Sequence, residues 1–214
     1  MRNLFSILVS LVLIIMGCNG QSGNSQSDNR YLEYKKEFDP LLTNHFPNRI
    51  TSYPCQVIKS KDISKNDVGF LLYEYNVSKE RLDSIVANLK GNLLGQYNSN
   101  DSCLLIVNRF ETIDSFENRK EVEITDSSQV ERPCYQSLYP IPNFIDYQNR
   151  TNDRPLKLND NFTIYVMEAK SGRYFKMFDL QPSSQMPSLW KNGYSKGIAV
   201  SYKDKTVIYW GIIW

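Results

Sequence analysis

Histidine is nearly absent from this chain: among 214 residues there is only His45, whereas catalytic zinc sites usually take two or three His ligands. His45 stands before Phe46-Pro47, where a first helical segment has ended, and reads as a surface or capping residue; a dyad with Cys55 is the less favoured reading. An excess of one charge is also missing. With 25 Lys+Arg against 23 Asp+Glu, the chain lacks the electrostatic footprint of a protein that grips nucleic acid by its phosphates. The four cysteines show no C-x-x-C spacing, which argues against thioredoxin-type redox chemistry and cysteine zinc sites, and no cofactor or metal is expected. No apolar run reaches the ~20 residues of a membrane-spanning helix. No internal repeat is visible. What is present, 41% hydrophobic and 13% aromatic residues, suffices for a packed core in one domain.

The longest apolar run begins at once. Arg2 and Asn3 precede a 13-residue stretch from Leu4 to Met16, interrupted only by Ser6 and Ser10 and showing no polar face at helical spacing. It ends in Ile15-Met16-Gly17-Cys18, which resembles the lipobox of bacterial lipoproteins: an aliphatic residue, a small residue immediately before the cysteine, then the cysteine itself. Ile15 replaces the commoner Leu, and Met16 stands where Ala or Ser is usual. The resemblance covers these eighteen residues and implies a signal peptide over 1–17, cleaved before Cys18. It also implies a diacylglyceryl thioether on the Cys18 sulfur and an N-acyl chain on the new amino terminus. Several chains, at ~0.8 kcal/mol per buried CH₂, make such an anchor effectively permanent. Asn19 takes the place of the Asp that favours inner-membrane retention in similar lipoproteins, so outer-membrane sorting is expected. The following residues 20–24 lack the acidic cluster that resembles a surface-export signal, so the domain is expected to face the periplasm.

Residues 19–29 are all Gly, Ser, Asn, Gln or Asp, a composition that buries no core, so 18–29 reads as a lipidated Cys and flexible tether and 30–214 as the globular domain. Tyr31, Leu32, Tyr34, Phe38, Leu41 and Leu42 recur at helical spacing after a cap at Asp28 or Asn29, with Pro40 ending or kinking the helix. Residues 68–75 read as a strand, Ser78 as the cap of a helix carrying Leu82, Ile85, Val86 and Leu89, and residues 103–110 as a second strand. A short helix near 113–118 and a strand near 121–125 follow. Residues 126–160 hold Pro133, Pro140, Pro142 and Pro155 with no sustained period, the mark of a functional or tied-down loop. Strands are expected at 162–169 and 174–178, then a hairpin of 197–202 and 206–213. The predicted fold is a single α+β domain, a mainly antiparallel sheet with two or three helices including one strand-helix-strand unit.

Candidate chemistry is sparse. Cys55 follows Pro54 and Cys134 follows Pro133 in turn-like surroundings, so these two are expected to form a disulfide, the alternative being three reduced thiols. Cys103, heading an apolar segment, reads as a buried small hydrophobe. Gly193-Tyr194-Ser195-Lys196-Gly197 matches the G-x-S-x-G elbow but has no His downstream, and Ser188-Leu189-Trp190-Lys191 matches S-x-x-K without its partner elements. Glu74 and Glu168 sit late in strands and could pair for glycoside cleavage if the strands were neighbours. Trp190, Trp210 and Trp214 crowd the last 25 residues beside Tyr194, Tyr202 and Tyr209. Alternation makes both faces of 206–213 apolar, so Trp210 reads as core, while Trp190 in its Pro-flanked loop, with Tyr194, is the candidate contact surface. Two functions are compatible with this. The first is a non-catalytic, membrane-anchored module binding an envelope protein or glycan, an immunity-type protein being one case; the second is a small hydrolase using paired carboxylates.

Overall fold

Asp39 and Pro40 show how the chain turns its corners. The Asp39 carboxylate accepts from the Leu41 amide at 2.8 Å and Pro40 occupies the first helical turn, so Pro40 starts a new helix, α2 (Pro40–Thr43), where the preceding one has ended. That first helix, α1, spans Gln21–Lys36. A computed structural model describes residues 21–60, 67–89, 91, 93–112, 114–115, 118, 122–144 and 156–214. The signal peptide and lipobox, Cys18 included, lie outside the described residues.

Two further helix and strand assignments hold at their cores. Strand β2 (Val68–Glu74) leads into α3 (Lys79–Leu89), where Ser78 Oγ accepts from Arg81 N at 3.3 Å and Leu82, Ile85 and Leu89 are buried. Past its end Gly91 takes φ +105°, a conformation that costs glycine nothing. The remaining strands are β1 (Cys55–Ser60), β3 (Gly95–Asn98), β4 (Thr163–Ser171), β5 (Gly193–Ser201) and β6 (Thr206–Ile213). They form one six-stranded antiparallel sheet in the order β1-β2-β6-β5-β4-β3, so the protein is a single α+β domain.

Both faces of the sheet are covered, as the apolar alternation of 206–213 requires. On one face Phe70, Leu72, Tyr209 and Ile198 pack under Tyr31, Phe38, Leu42 and Phe46 from α1, α2 and the turn after them, with Leu82 of α3 beside them. Gly211 makes this approach possible: a Cβ there would stand 2.6 Å from the Leu42 carbonyl oxygen and 2.7 Å from Leu42 Cγ. On the other face Trp210, Trp214, Ile208 and Ile164 pack under Leu104–Val107, Ile141, Phe144 and Leu156. The second covering layer is therefore built from irregular chain.

Several expectations fail here. Residues 21–29, expected to be tether, belong to α1; Asp28 is no cap but accepts from the Ile50 amide at 2.9 Å, fixing the polar half of the helix to the domain. The apolar segment 103–110 is buried but is no strand. It lies across the sheet face and makes a single parallel bridge, Ile106 to Ile141, while Gly95–Asn98 supplies the strand after α3. Residues 122–125 are not a strand, and 174–178 is a 3₁₀ turn, Lys176–Phe178, instead of a strand, so β4 and β5 are joined by a long loop from Gly172 to Asn192. Finally, the disulfide joins Cys103 to Cys134, with Cα atoms 6.4 Å apart, and Cys55 is the free thiol. Cys103 and Cys134 both belong to the irregular layer, whereas Cys55 sits on edge strand β1 and packs against the helical face.

Candidate functional site

The strand residues with chemistry in them are engaged in holding layers together. Met167 is bulged out of the β4–β5 ladder, which brings Glu168 opposite Lys196. The Glu168 carboxylate accepts from the Tyr194 hydroxyl at 2.5 Å, from Lys170 at 3.0 Å and from Lys196 at 3.0 Å. Burial alone would raise its pKa, but these donors outweigh burial and hold it down at about 2. Lys196, itself almost fully buried, also donates to the Leu41 carbonyl at 2.6 Å and to Asn44 Oδ1 at 3.1 Å, tying α2 to the sheet. His45 reaches the same spot: its Nε2 stands 3.2 Å from the Gly197 carbonyl oxygen and 2.9 Å from that of Trp210. Burial, with Lys196 adding to it, pushes the imidazole down to about 3, so the ring is neutral and Nε2 carries the donated proton. It is a latch on the sheet with no thiol in reach.

Glu74 is equally committed. Its buried carboxylate accepts from the Thr51 amide, from Thr51 Oγ1 at 3.0 Å and from the Ser52 amide at 3.2 Å, clasping the turn before β1. Burial raises its pKa against the pull of those donors. Glu74 on β2 and Glu168 on β4 are separated by β6 and β5, three strand spacings or about 14 Å at ~4.8 Å each. The carboxylate separation that glycoside hydrolysis needs is ~5–9.5 Å, so these two do not make that pair. Burial, then Glu74 and Asp28, push the Cys55 thiol up, the opposite of an activated nucleophile. Ser195 is in the middle of β5 and fully buried, not on an elbow, and Ser188 donates from Oγ to Glu131 at 2.5 Å, pinning its loop to the irregular layer.

The two predicted contact residues do not supply a surface. Trp190 is 7% exposed, its ring 6.1 Å from that of Trp214 and its carbonyl accepting from Trp214 Nε1 at 2.7 Å. Tyr194 points inward from β5, fully buried in the core, with its hydroxyl donated to Glu168. The loop nevertheless carries the three most exposed large apolar side chains among the described residues: Tyr174 is 52% exposed, Met177 73% and Leu189 64%. Tyr194 serves as the floor, with the rings of Tyr174 and Phe175 edge-on to it at 5.2 and 5.3 Å. Beside them opens a cavity of about 220 Å³ walled by Arg173, Tyr174, Phe175, Lys176, Asp179 and Asn192, with Ile213 and Trp214 behind. Asp179 is held at φ +42°, closing the 3₁₀ turn that shapes one wall. The sequence signal that could have found it is the Arg-Tyr-Phe-Lys-Met run after Gly172, whose two-sided polarity suits neither face of a strand.

Among the described residues no group of three or more His, Cys, Asp or Glu stands where it could hold a metal ion, and no helix is long and apolar enough to cross a membrane. No family model matches the chain, and no curated protein or solved structure matches it.

Proposed function

We propose that this chain is a lipid-anchored envelope lipoprotein, outer-membrane sorted and facing the periplasm, whose domain binds an envelope protein or glycan without catalysing a reaction. The anchor rests on the Ile15-Met16-Gly17-Cys18 resemblance. The binding role rests on one observation: Tyr174, Met177 and Leu189 crowd a single loop beside a cavity, while Glu74, Glu168 and Lys196 of the sheet are engaged in bonds within the domain. Large exposed apolar side chains grouped on one loop of a rigid scaffold are the usual materials of a contact surface.

Two measurements test it. The parent protein is expected to incorporate labelled fatty acid and fractionate with membranes, and Cys18→Ala to lose the label and accumulate as the longer precursor; undiminished labelling of Cys18→Ala sinks the anchor. In cells, a photo-reactive side chain at Met177 is expected to form a discrete adduct that the same group on exposed Glu33 of α1 does not form. Equal adducts from both positions, or none from either, sinks the binding role of the loop.

A further inference from the structure

The walls of the cavity carry a particular mixture of groups. Arg173, Lys176 and Asp179, all solvent-exposed, make no ion pair among the described residues, so two cations and one carboxylate stand around the same small space. Asn192 is held only loosely. Its Nδ2 donates to the Gln181 and Trp214 carbonyls at 3.4 Å each, and its Oδ1 accepts from Arg173 Nε at 3.4 Å. All three lie beyond the 2.7–3.2 Å of well-formed N–H···O bonds, so an incoming hydroxyl can replace any of them at little cost. Above these polar groups stands Tyr174, half of it in solvent, with Phe175 beside it.

From this mixture we infer that the cavity is a binding site for one uncharged pyranose unit of an envelope glycan, an inference that rests on the binding role proposed above. Arg, Asp and Asn are flat groups with two or more hydrogen-bonding atoms in a fork, a spacing that meets vicinal hydroxyls, which both donate and accept. The aromatic rings offer a face for the apolar C–H side of the sugar ring. Charge decides against the simpler ligands. A phosphate or carboxylate would face Asp179, an organic cation would face Arg173 and Lys176, and a purely apolar ligand would bury all three unpaired. Size decides against a long segment. At about 220 Å³ the cavity is smaller than the ~300–1,000 Å³ that takes drug-sized molecules, so it admits one ring of the glycan and leaves its neighbours outside, toward exposed Met177.

The experiment uses the full purified chain with glucose, galactose, N-acetylglucosamine, glucuronic acid and a hexaglutamate peptide as probes, followed by saturation-transfer NMR and tryptophan fluorescence. At least one of the three uncharged sugars is expected to bind with millimolar affinity. Tyr174→Ala and Asp179→Asn, both with unchanged circular dichroism, are each expected to weaken it about tenfold, ~1.4 kcal/mol. Three results overturn the assignment: no uncharged sugar binding at up to about 50 mM, where millimolar affinity would saturate; tighter binding of glucuronic acid or hexaglutamate than of any uncharged sugar; or both variants binding as the parent does. If sugars fail while the Met177 adduct persists, the sugar assignment falls and the binding role stands; loss of both removes both.

Discussion

Cys103→Ser and Cys134→Ser are each expected to lower unfolding free energy by about 3–4 kcal/mol, whereas Cys55→Ser should change it by less than about 1 kcal/mol. The disulfide closes a loop of 31 residues, and the chain-entropy model assigns that cross-link ~3–4 kcal/mol through the unfolded state. Little else can substitute for it. The layer it staples lies on the Trp210 face without a ladder of its own, held by core packing and by scattered hydrogen bonds such as those between Leu105, Val107 and Ile141, Phe110 N to Gln185, Tyr139 N to the Tyr97 hydroxyl, and Ser188 to Glu131. Loss of the bond therefore frees the covering of Trp210, Ile164 and Ile208 without directly breaking the sheet. Urea titrations of the three variants, with non-reducing peptide mapping of the parent, decide the matter. A Cys55→Ser protein as unstable as the other two, or a linked peptide containing Cys55, would refute it.

Glu111 should make the protein less stable toward alkaline pH. Burial first, and then the nearby Asp67 carboxylate, push its pKa up to about 8, and its Oε2 has no hydrogen-bond partner among the described residues. In the unfolded chain a Glu titrates near ~4.3. The folded protein thus keeps a proton that the unfolded chain has released, and the stability it supplies is complete below about pH 4 and lost as pH rises to about 8. At ~1.4 kcal/mol per pH unit the loss over that window is a few kcal/mol. Glu111→Gln keeps the shape of the neutral acid and removes the titration. It is expected to match the parent near pH 4 and to exceed it by up to about 5 kcal/mol at pH 8, measured as the shift in urea midpoint. Parallel pH profiles for the two proteins would refute the assignment. Glu168 acts in the opposite sense: held at about 2, it contributes stability above the ordinary carboxylate range that disappears as pH falls toward 2. The two carboxyls bound the stable range from opposite sides.

The elements that the sequence made legible are those where one local signal is enough. Ser78 as cap and the stripe Leu82, Ile85, Leu89 specify α3 with no help from the rest of the chain, and the two-sided apolar pattern of β6 already requires a central position. Residues 103–107 show the limit. A short run of Leu104-Leu105-Ile106-Val107 is what a buried strand and a buried irregular segment have in common, and only the sheet edge, taken by Gly95–Asn98, decides between them. Disulfide connectivity fails for a related reason: Cys55 and Cys134 share local surroundings, but they lie on opposite faces of a sheet that neither residue announces. The loop of the candidate site was legible only around Trp190, because residues 174–178, which supply a wall of the cavity, read as a strand and hold the 3₁₀ turn Lys176–Phe178 instead. A loop has no period, so its sequence does not say which rings turn inward, as Trp190 does, and which, like Tyr174, turn out.

The sheet order also sets a sequence in time. Strands β1, β2, β3 and β4 are made first, but β2 and β4 have no contact until β5 and β6 fill the two places between them. Before that hairpin arrives, β1 with β2 and β3 with β4 can pair only as two separate halves, each with an open edge where the hairpin will sit. Pairings this distant along the chain form slowly, and open edges of this kind invite association with other chains. The sheet therefore closes only when residues 193–213, the last part of the chain, have been made.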